Sequence, residues 1–332
     1  MKRILVTGGL GYIGSHTCVA LVEAGFTPVA IDNLRNTRIE TKSSIEEITG
    51  QPLEFYKLDA KNTIAVKEAI GKIHGVIHFA ALKSVGESIE KPMDYYTENL
   101  ESLLSIIDVA NAKNSSNFIF SSSATVYGNC EDECVSEQTP LGTPLNPYGH
   151  TKSLGEKILS SGTHQFKTIL LRYFNPVGAH PSALIGELPN GVPSNLVPFI
   201  TQAAAGIREK LMIFGDDYDT RDGTCIRDFI HVVDLAEAHV AALKYSDTMM
   251  EPLDVFNVGT GNGNTVMELI NTFQSENNLT LNYEIGPRRP GDIKAIFTDT
   301  SKIRSKLKWE NKYTLADSLK HSWAWEKKLR GL

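Results

Sequence analysis

Residues 1–32, MKRILVTGGLGYIGSHTCVALVEAGFTPVAID, decide the fold. A short run of β-branched and aliphatic residues from Arg3 to Thr7 ends in glycines. A stretch with apolar residues at helical spacing follows from Ser15 to Ala24, and a second short run closes the segment from Pro28 to Asp32. Strand, glycine turn, helix and strand in that order make a βαβ unit, whose strands pair in parallel. The turn itself, Thr7 to Gly14, reads TGGLGYIG. Gly8 and Gly9 permit a tight turn, Gly11 lets the backbone approach a pyrophosphate, and Gly14 lets the helix pack closely on the strand. The helix amino terminus then offers free N–H groups and a partial positive charge to phosphate. Asp32, eighteen residues beyond Gly14, is placed to accept hydrogen bonds from adenine ribose hydroxyls and to repel a 2′-phosphate. NAD is therefore expected over NADP, with Arg35 and Arg38 nearby as the opposing signal.

Outward from this unit the pattern repeats. Further strands are expected at Leu53–Leu58, Val76–Phe79, Phe118–Ser121 and Thr168–Tyr173, alternating with helices at Ile64–Ile73, Asp94–Ala112 and Tyr148–Ser160. The fold class is α/β: a Rossmann-type doubly wound parallel sheet with a smaller, interleaved α/β substrate domain. Turns and surface loops are expected over Asn175–Pro198, a helix over Phe229–Tyr245, and a strand over Asp254–Val258 that rejoins the main sheet. The cofactor domain then comprises residues 1–175 plus 229–259, and the substrate domain residues 176–228 plus 260–332.

Composition excludes several classes. Thirty-three basic against thirty-nine acidic side chains leave a net charge of −6, which disfavours nucleic acid and anionic membrane surfaces, so an anionic ligand must meet a local basic cluster. Apolar residues at 41% and charged residues at 22% are ordinary globular usage. The four cysteines (Cys18, Cys130, Cys134, Cys225) are too few for a disulfide scaffold, and the C-x-x-x-C of Cys130 and Cys134 lacks zinc spacing. His78 and His231 sit in apolar surroundings and read as core histidines, and no metal is expected. The amino terminus carries no signal-peptide pattern and no apolar run reaches bilayer length, so a soluble cytoplasmic protein is expected.

Tyr148 and Lys152, within PYGHTK, share one helix face by their four-residue spacing. An ammonium beside a phenol stabilises the phenolate and lowers its pKa, so the pair is suited to proton exchange with a hydroxyl. Spacing alone carries little weight: 11 tyrosines and 22 lysines in this length yield about 0.7 such pairs by chance, against one present. Placement carries more. The pair follows a fifth strand ending Ser121-Ser122-Ser123 at the carboxyl edge of the sheet, where open α/β sheets bind ligands. Ser123 is in reach of the same hydroxyl, whereas His150, two residues from Tyr148, points off the shared face.

Taken together, TGGLGYIG, Asp32, HFAALKSVGES, SSSATVYG, PYGHTK, RYFNPVGAH, RDFIHVVDLAEAHV and PRRPGD resemble the extended short-chain dehydrogenase/reductase superfamily, most closely its UDP-glucose 4-epimerase family. The resemblance spans nearly the whole chain. It implies an isomerase that interconverts UDP-galactose and UDP-glucose by transient oxidation at sugar C4, rotation of the 4-keto sugar and return of the hydride to the opposite face. NAD would be held tightly and regenerated each cycle. Ser123, Tyr148 and Lys152 would be catalytic. NAD would be bound by Gly8, Gly11, Tyr12, Ile13, Gly14, Asp32, Asn33, Leu34, Asn36, Thr37, Asp59, Ala60, Phe79, Ala80, Ala81, Lys83, Asn99 and Phe174 together with the catalytic three. The nucleotide sugar would meet Lys83, Ser123, Tyr148, Asn175, Asn195, Leu196, Phe214, Arg227, Arg289, Asp292 and Ile296, the arginines supplying donor forks for the diphosphate. The relatives form homodimers through two helices packed into a four-helix bundle, and the same is expected here.

Three alternatives stand beside this reading. Nucleotide-sugar dehydratases place an Asp-Glu pair where this chain has Ala124 and Thr125, neither of which is a general acid or base. A cofactor sensor that has lost catalysis would have no use for Ser123, Tyr148 and Lys152 together. The third concerns substrate: by the resemblance Ile296 would occupy the place where relatives carry a tyrosine or a smaller residue beside the sugar's C2 substituent, which leaves the admission of N-acetylated sugars open.

Overall fold

The computed structural model describes residues 1–162, 164–289 and 292–332. In chain order the elements are β1 (Arg3–Thr7), α1 (Tyr12–Glu23), β2 (Thr27–Asp32), α2 (Glu40–Thr49), β3 (Glu54–Lys57), α3 (Thr63–Ala69), β4 (Gly75–His78), α4 (Val85–Glu90), α5 (Pro92–Ala112), β5 (Asn117–Ser123), β6 (Cys134–Val135), α6 (Pro147–Ser161), β7 (Lys167–Tyr173) and β8 (Asn175–Val177). There follow α7 (Leu196–Ala204), β9 (Leu211–Phe214), β10 (Ile226–His231), α8 (Val232–Ser246), β11 (Leu253–Val258), β12 (Gly263–Thr265), α9 (Val266–Asn277), β13 (Tyr283–Gly286), β14 (Ala295–Thr298), α10 (Ser301–Leu307) and α11 (Leu315–Arg330).

Seven parallel strands in the order β11-β7-β5-β4-β1-β2-β3 form the main sheet. β1 begins the winding in one direction through β2 and β3 and in the other through β4 and β5, so a crevice opens between β1 and β4 at their carboxyl ends. One face of the sheet is covered by a core containing Leu21 of α1 and Leu235 of α8, the other by a core containing Val66 of α3, Ile106 of α5 and Leu159 of α6. Both faces of β5 are therefore buried, which is why NFIFSSS has no polar alternation.

A second sheet runs β12-β10-β14-β6, with β8 paired to the far end of β10, and β9 pairs with β13 in a two-stranded sheet. Val197, Ile213, Phe273 and Trp323, from α7, β9, α9 and α11, form a separate core there. Two segments cross between the layers. β10 starts in the second sheet and runs directly into α8, which packs on the main sheet, and Ile303, Leu307 and Trp309 near the carboxyl end return to the main core.

Several boundaries differ from the expectations. Phe229–Tyr245 is not one helix: Phe229, Ile230 and His231 pair in parallel with Asn175, Pro176 and Val177 as strand, and the helix starts at Val232. The apolar run FIHVV fits either period, and β8 supplies the ladder that chooses strand. That same β8, and the start of α7 at Leu196, fall in Asn175–Pro198, where only loops were expected. α1 begins at Tyr12, three residues early, because the chain turns helical directly after Gly11. α3 stops at Ala69, after which Ile70 and Ile73 enter the core from irregular backbone. α2 was not expected at all, since its apolar side is only Ile45, its one buried residue, and Ile48.

Candidate active site

The turn after β1 is shaped by contacts that no side chain could share. A Cβ at Gly14 would lie 2.1 Å from the Gly8 carbonyl oxygen, one at Gly9 would lie 2.6 Å from the Ala30 methyl, and Gly8 adopts φ +66°. α1 therefore starts against the turn with no side-chain cap and no acid in its first turn, leaving its amino terminus open to an anion. Asp32, buried at the end of β2, accepts from Leu10 N at 3.2 Å, Leu34 N at 2.9 Å and Thr37 Oγ1 at 2.7 Å. One carboxylate thus ties the glycine turn to the loop that follows β2. Thr7 does the same on the other side, its hydroxyl accepting from Phe79 N and Ala80 N at 3.2 and 3.1 Å.

These loops frame a cavity of about 1140 Å³, large enough for a dinucleotide and a second ligand together. Of the expected cofactor residues, all but Leu34 and Asn99 line it, and of the remaining expected substrate residues so do Asn175 and Asn195. Leu34 contributes through its backbone contact to Asp32. Asn99 is turned elsewhere: its side chain accepts from Leu82 N at 2.7 Å and donates to Leu82 O and Thr151 Oγ1, fixing the Ala81–Lys83 segment from behind. The cradle, the open helix end and the carboxylate fit a nicotinamide dinucleotide with its pyrophosphate at α1.

At the inner end of the cavity lie Ser123, Tyr148 and Lys152. Asn146 caps α6, its Oδ1 accepting from Gly149 N at 2.9 Å, and Pro147 occupies the first turn, so Tyr148 enters the site from a rigid helix start. Lys152, buried, donates to the Ser121 carbonyl at 2.6 Å, and its Nζ lies 5.8 Å from the Tyr148 ring centroid. Ser123 Oγ accepts from Thr125 N at 3.2 Å. His150 is spent on the Pro144 carbonyl. His78 contacts the Thr7 hydroxyl and His231 accepts from Val233 N, so both are satisfied core residues.

One electrostatic expectation is reversed. Burial pushes the Tyr148 phenol up to about 12, with the Ser123 hydroxyl working against it, and burial pulls Lys152 down to about 7. Without a ligand's charge, loss of solvent dominates both groups and each favours its neutral form. A cationic nicotinamide beside the phenol would favour the phenolate.

The other expected substrate residues gather beside the cavity rather than on it. Arg227 pairs with Asp292 at 2.9 Å, and Arg289 stacks on Phe214 at 4.0 Å. Ile296 stands opposite Arg227 across β10 and β14 and packs with Phe174 and Ala124, which follows Ser123. Ile296 therefore joins the arginine group to the catalytic end. Leu196 starts α7 against the second core, next to cavity-lining Asn195. Within PRRPGD, Pro290 and Gly291 lie outside the described residues.

Some cavity residues escaped the sequence reading. Glu187 accepts from Lys83 Nζ and from Asn195 Nδ2, each at 2.7 Å, and Trp325 Nε1 donates to its carbonyl. Tyr173 hydrogen-bonds Ser121 beside Lys152. Glu187 and Trp325 lie 138 residues apart in irregular and C-terminal segments, and no spacing could have linked them. Tyr173 was visible as the aromatic ending β7 at the same sheet edge as Ser123.

A family model described as GDP-mannose 4,6 dehydratase matches residues 5–322. A UDP-glucose 4-epimerase of Bacillus subtilis is 46% identical over 328 residues, covering 97% of this chain and 96% of its own. Among solved structures, a UDP-glucose 4-epimerase from Bifidobacterium longum in complex with NAD+ and UDP superposes with TM-score 0.93 at 42% identity, covering 98% of each chain. Another from Stenotrophomonas maltophila, with bound NAD and formylated UDP-arabinopyranose, gives 0.95 at 40% identity, covering 100% of this chain and 99% of that one.

Proposed function

The chain belongs to the UDP-glucose 4-epimerase family, and on that premise we propose that it interconverts UDP-galactose and UDP-glucose by reversible oxidation at sugar C4. The observation that carries this is the meeting of Ser123, Tyr148 and Lys152 on the same cavity that the glycine cradle lines. NAD would be held by that cradle and by Asp32 and, when bound, would supply the acceptor and donor of hydride.

The chain's own groups do the rest. Tyr148 takes the proton of the C4 hydroxyl and later returns it, and Ser123 holds the same oxygen. Lys152 stabilises the phenolate and would hold the nicotinamide ribose once the cofactor is bound. Inversion requires the 4-keto sugar to present its other face, so the hexose must be held loosely while the nucleotide is held firmly. Arg227 and Arg289 beside the cavity suit the firm hold on diphosphate, while Lys83, Asn175, Asn195, Leu196, Phe214, Asp292 and Ile296 complete the nucleotide-sugar site. Elimination, the reaction of dehydratases, lacks its proton shuttle because Ala124 and Thr125 follow Ser123.

A homodimer is part of the same reading. Met93 and Leu104 of α5 and Leu154 of α6 are exposed at 71%, 52% and 37% on adjacent helices, an apolar face of the kind that pairs with its own copy. No helix among the described residues is long and apolar enough to cross a membrane. Four free cysteines and a nicotinamide cofactor suit a reducing compartment, the cytoplasm.

The activity is tested by separating UDP-glucose from UDP-galactose after incubation with purified protein, with Tyr148→Phe as control. Conversion by the parent protein and its loss in the variant support the reading. No conversion by the parent protein refutes it.

A further inference from the structure

Behind the catalytic face lies a buried ion pair that touches no part of the cavity. Arg172, on β7, meets Glu156, on α6, through two parallel hydrogen bonds: Nε to Oε1 at 2.9 Å and Nη2 to Oε2 at 2.7 Å. Their side chains are 7% and 5% exposed. Ser122 also donates to Glu156 Oε1 at 2.5 Å, and Arg172 Nη1 donates to the Tyr127 hydroxyl at 3.2 Å. The Tyr127 hydroxyl in turn lies 2.6 Å from Asn257 Oδ1 on β11.

Each member is a close chain neighbour of a residue that lines the cavity. Glu156 is one turn beyond Lys152 and two beyond Tyr148 on the same face of α6, about 12 Å along the axis from the tyrosine. Ser122 precedes Ser123, and Arg172 precedes Tyr173. α6 rests on β5 through two polar anchors, Lys152 on the Ser121 carbonyl and Glu156 on the Ser122 hydroxyl. Between them Gly155 brings the helix so close that a Cβ would stand 2.6 Å from Phe120 Cζ. Stability alone does not explain a buried pair, because well-packed apolar residues of the same volume are often as stabilising. A planar fork that accepts one geometry fixes register instead.

We propose that the Glu156–Arg172 pair sets the position of α6 on β5, and so the approach of Tyr148 to Ser123, while holding the ground behind them electrically neutral. This rests on Tyr148 being the acid/base of the epimerisation. Neither residue meets a ligand; both are positioning residues. Removing one charge leaves the other facing the catalytic groups across a poorly screened interior. An unpaired Arg172 favours the phenolate, whereas an unpaired Glu156 opposes it.

The test uses the full-length enzyme with the variants Glu156→Gln, Arg172→Gln and the double variant, each assayed for kcat, KM and the pH dependence of kcat per folded protein. Each should lose kcat by about tenfold or more, as misplaced groups do, with KM for UDP-galactose within threefold of the parent's. The acid limb should move to lower pH in Glu156→Gln, to higher pH in Arg172→Gln, and back to the parent's place in the double variant. Phenolate absorbance of the resting protein, compared with and without Tyr148→Phe, should show the same three displacements without turnover. Parent-like kcat in folded single variants, or displacement of both limbs in one direction, overturns the proposal. If a single variant does not fold, the double variant decides: lowered kcat with unchanged KM supports the proposal, and parent-like kcat overturns it. Parent activity and its loss in Tyr148→Phe, run alongside, test the underlying reading separately.

Discussion

Lys152 Nζ lies 5.8 Å from the centroid of the Tyr148 ring while donating to the Ser121 carbonyl at 2.6 Å. The lysine is thus anchored to the sheet and presented to the phenol's side at a fixed distance, in an interior where burial pulls it down to about 7 and pushes the phenol up to about 12. With Lys152 held near the point at which it gains or loses its proton, an arriving charge shifts the balance at both groups.

Replacing Tyr148 by Phe removes the proton acceptor and little else, since the ring remains. A fall in kcat of about 10² to 10⁴ is expected, the range for loss of a positioned acid/base, with KM for UDP-galactose nearly unchanged. Steady-state kinetics on NAD-loaded protein measures both, and a kcat within threefold of the parent's removes Tyr148 from its role.

Lys152→Met takes away the cation that favours the phenolate, so the phenol must lose its proton at higher pH. The acid limb of kcat/KM should therefore move upward by about one unit or more. A pH–rate profile whose acid limb stays in place would show that the lysine does not tune the tyrosine.

Asp32 accepts three hydrogen bonds across the join of two loops. Asp32→Asn removes the negative charge and leaves a single oxygen to accept. Hydrogen bonds to charged groups are worth about 1.5–3 kcal/mol each, so NAD binding should weaken by about ten- to a hundredfold, and the ratio of NADP to NAD affinity should rise. Calorimetric titration of stripped protein with both cofactors gives the ratio, and an unchanged ratio contradicts the assignment.

Burial holds His16, His78 and His231 down to about 3 and His239 to about 4. In the unfolded chain they titrate near the ordinary value of about 6.5. Folded-state values below unfolded ones mean stability that is complete above about 6.5 and is lost as pH falls. Asp234 runs the other way, raised by burial to about 6, and offsets about one of the four protons between pH 6 and 5. Counted over these five groups, unfolding takes up about three protons, which corresponds to about 4 kcal/mol lost per pH unit at about 1.4 kcal/mol per proton. Urea unfolding at half-unit steps from pH 6.5 to 5 measures the slope, and a flat profile would mean that these histidines open to solvent in the folded protein.

Ile296 is buried against Phe174 and joins the arginine group to the catalytic end. With a branched side chain there, UDP-galactose should turn over faster than UDP-N-acetylgalactosamine. Comparing kcat/KM for the two decides it, a preference for the acetylated sugar being the contrary result.

How much of this was legible in the sequence depended on whether a residue's role was local. The βαβ unit, its glycine turn and Asp32 could be read because turn chemistry, helix start and strand end lie within 32 residues. Tyr148 and Lys152 could be read because four residues make one turn, although only their place at the sheet's carboxyl edge gave the spacing meaning. Glu187, Trp325 and the Glu156–Arg172 pair could not, since each acquires its role from a partner brought near by the tertiary fold. The Phe229–His231 strand misled for the same reason: an apolar run becomes strand when β8 lies beside it. The pKa values of Tyr148 and Lys152 were likewise out of reach, because charge proximity is visible in spacing and depth of burial is not.

The central claim is an internal redox cycle at Tyr148 in which the cofactor ends each turnover unchanged. Purified protein, with no NAD added, is incubated with UDP-galactose while product and reduced-nicotinamide absorbance are followed together. UDP-glucose should accumulate to equilibrium with no net rise in NADH. NADH accumulating in step with substrate consumed would contradict the claim and mark the protein as a dehydrogenase.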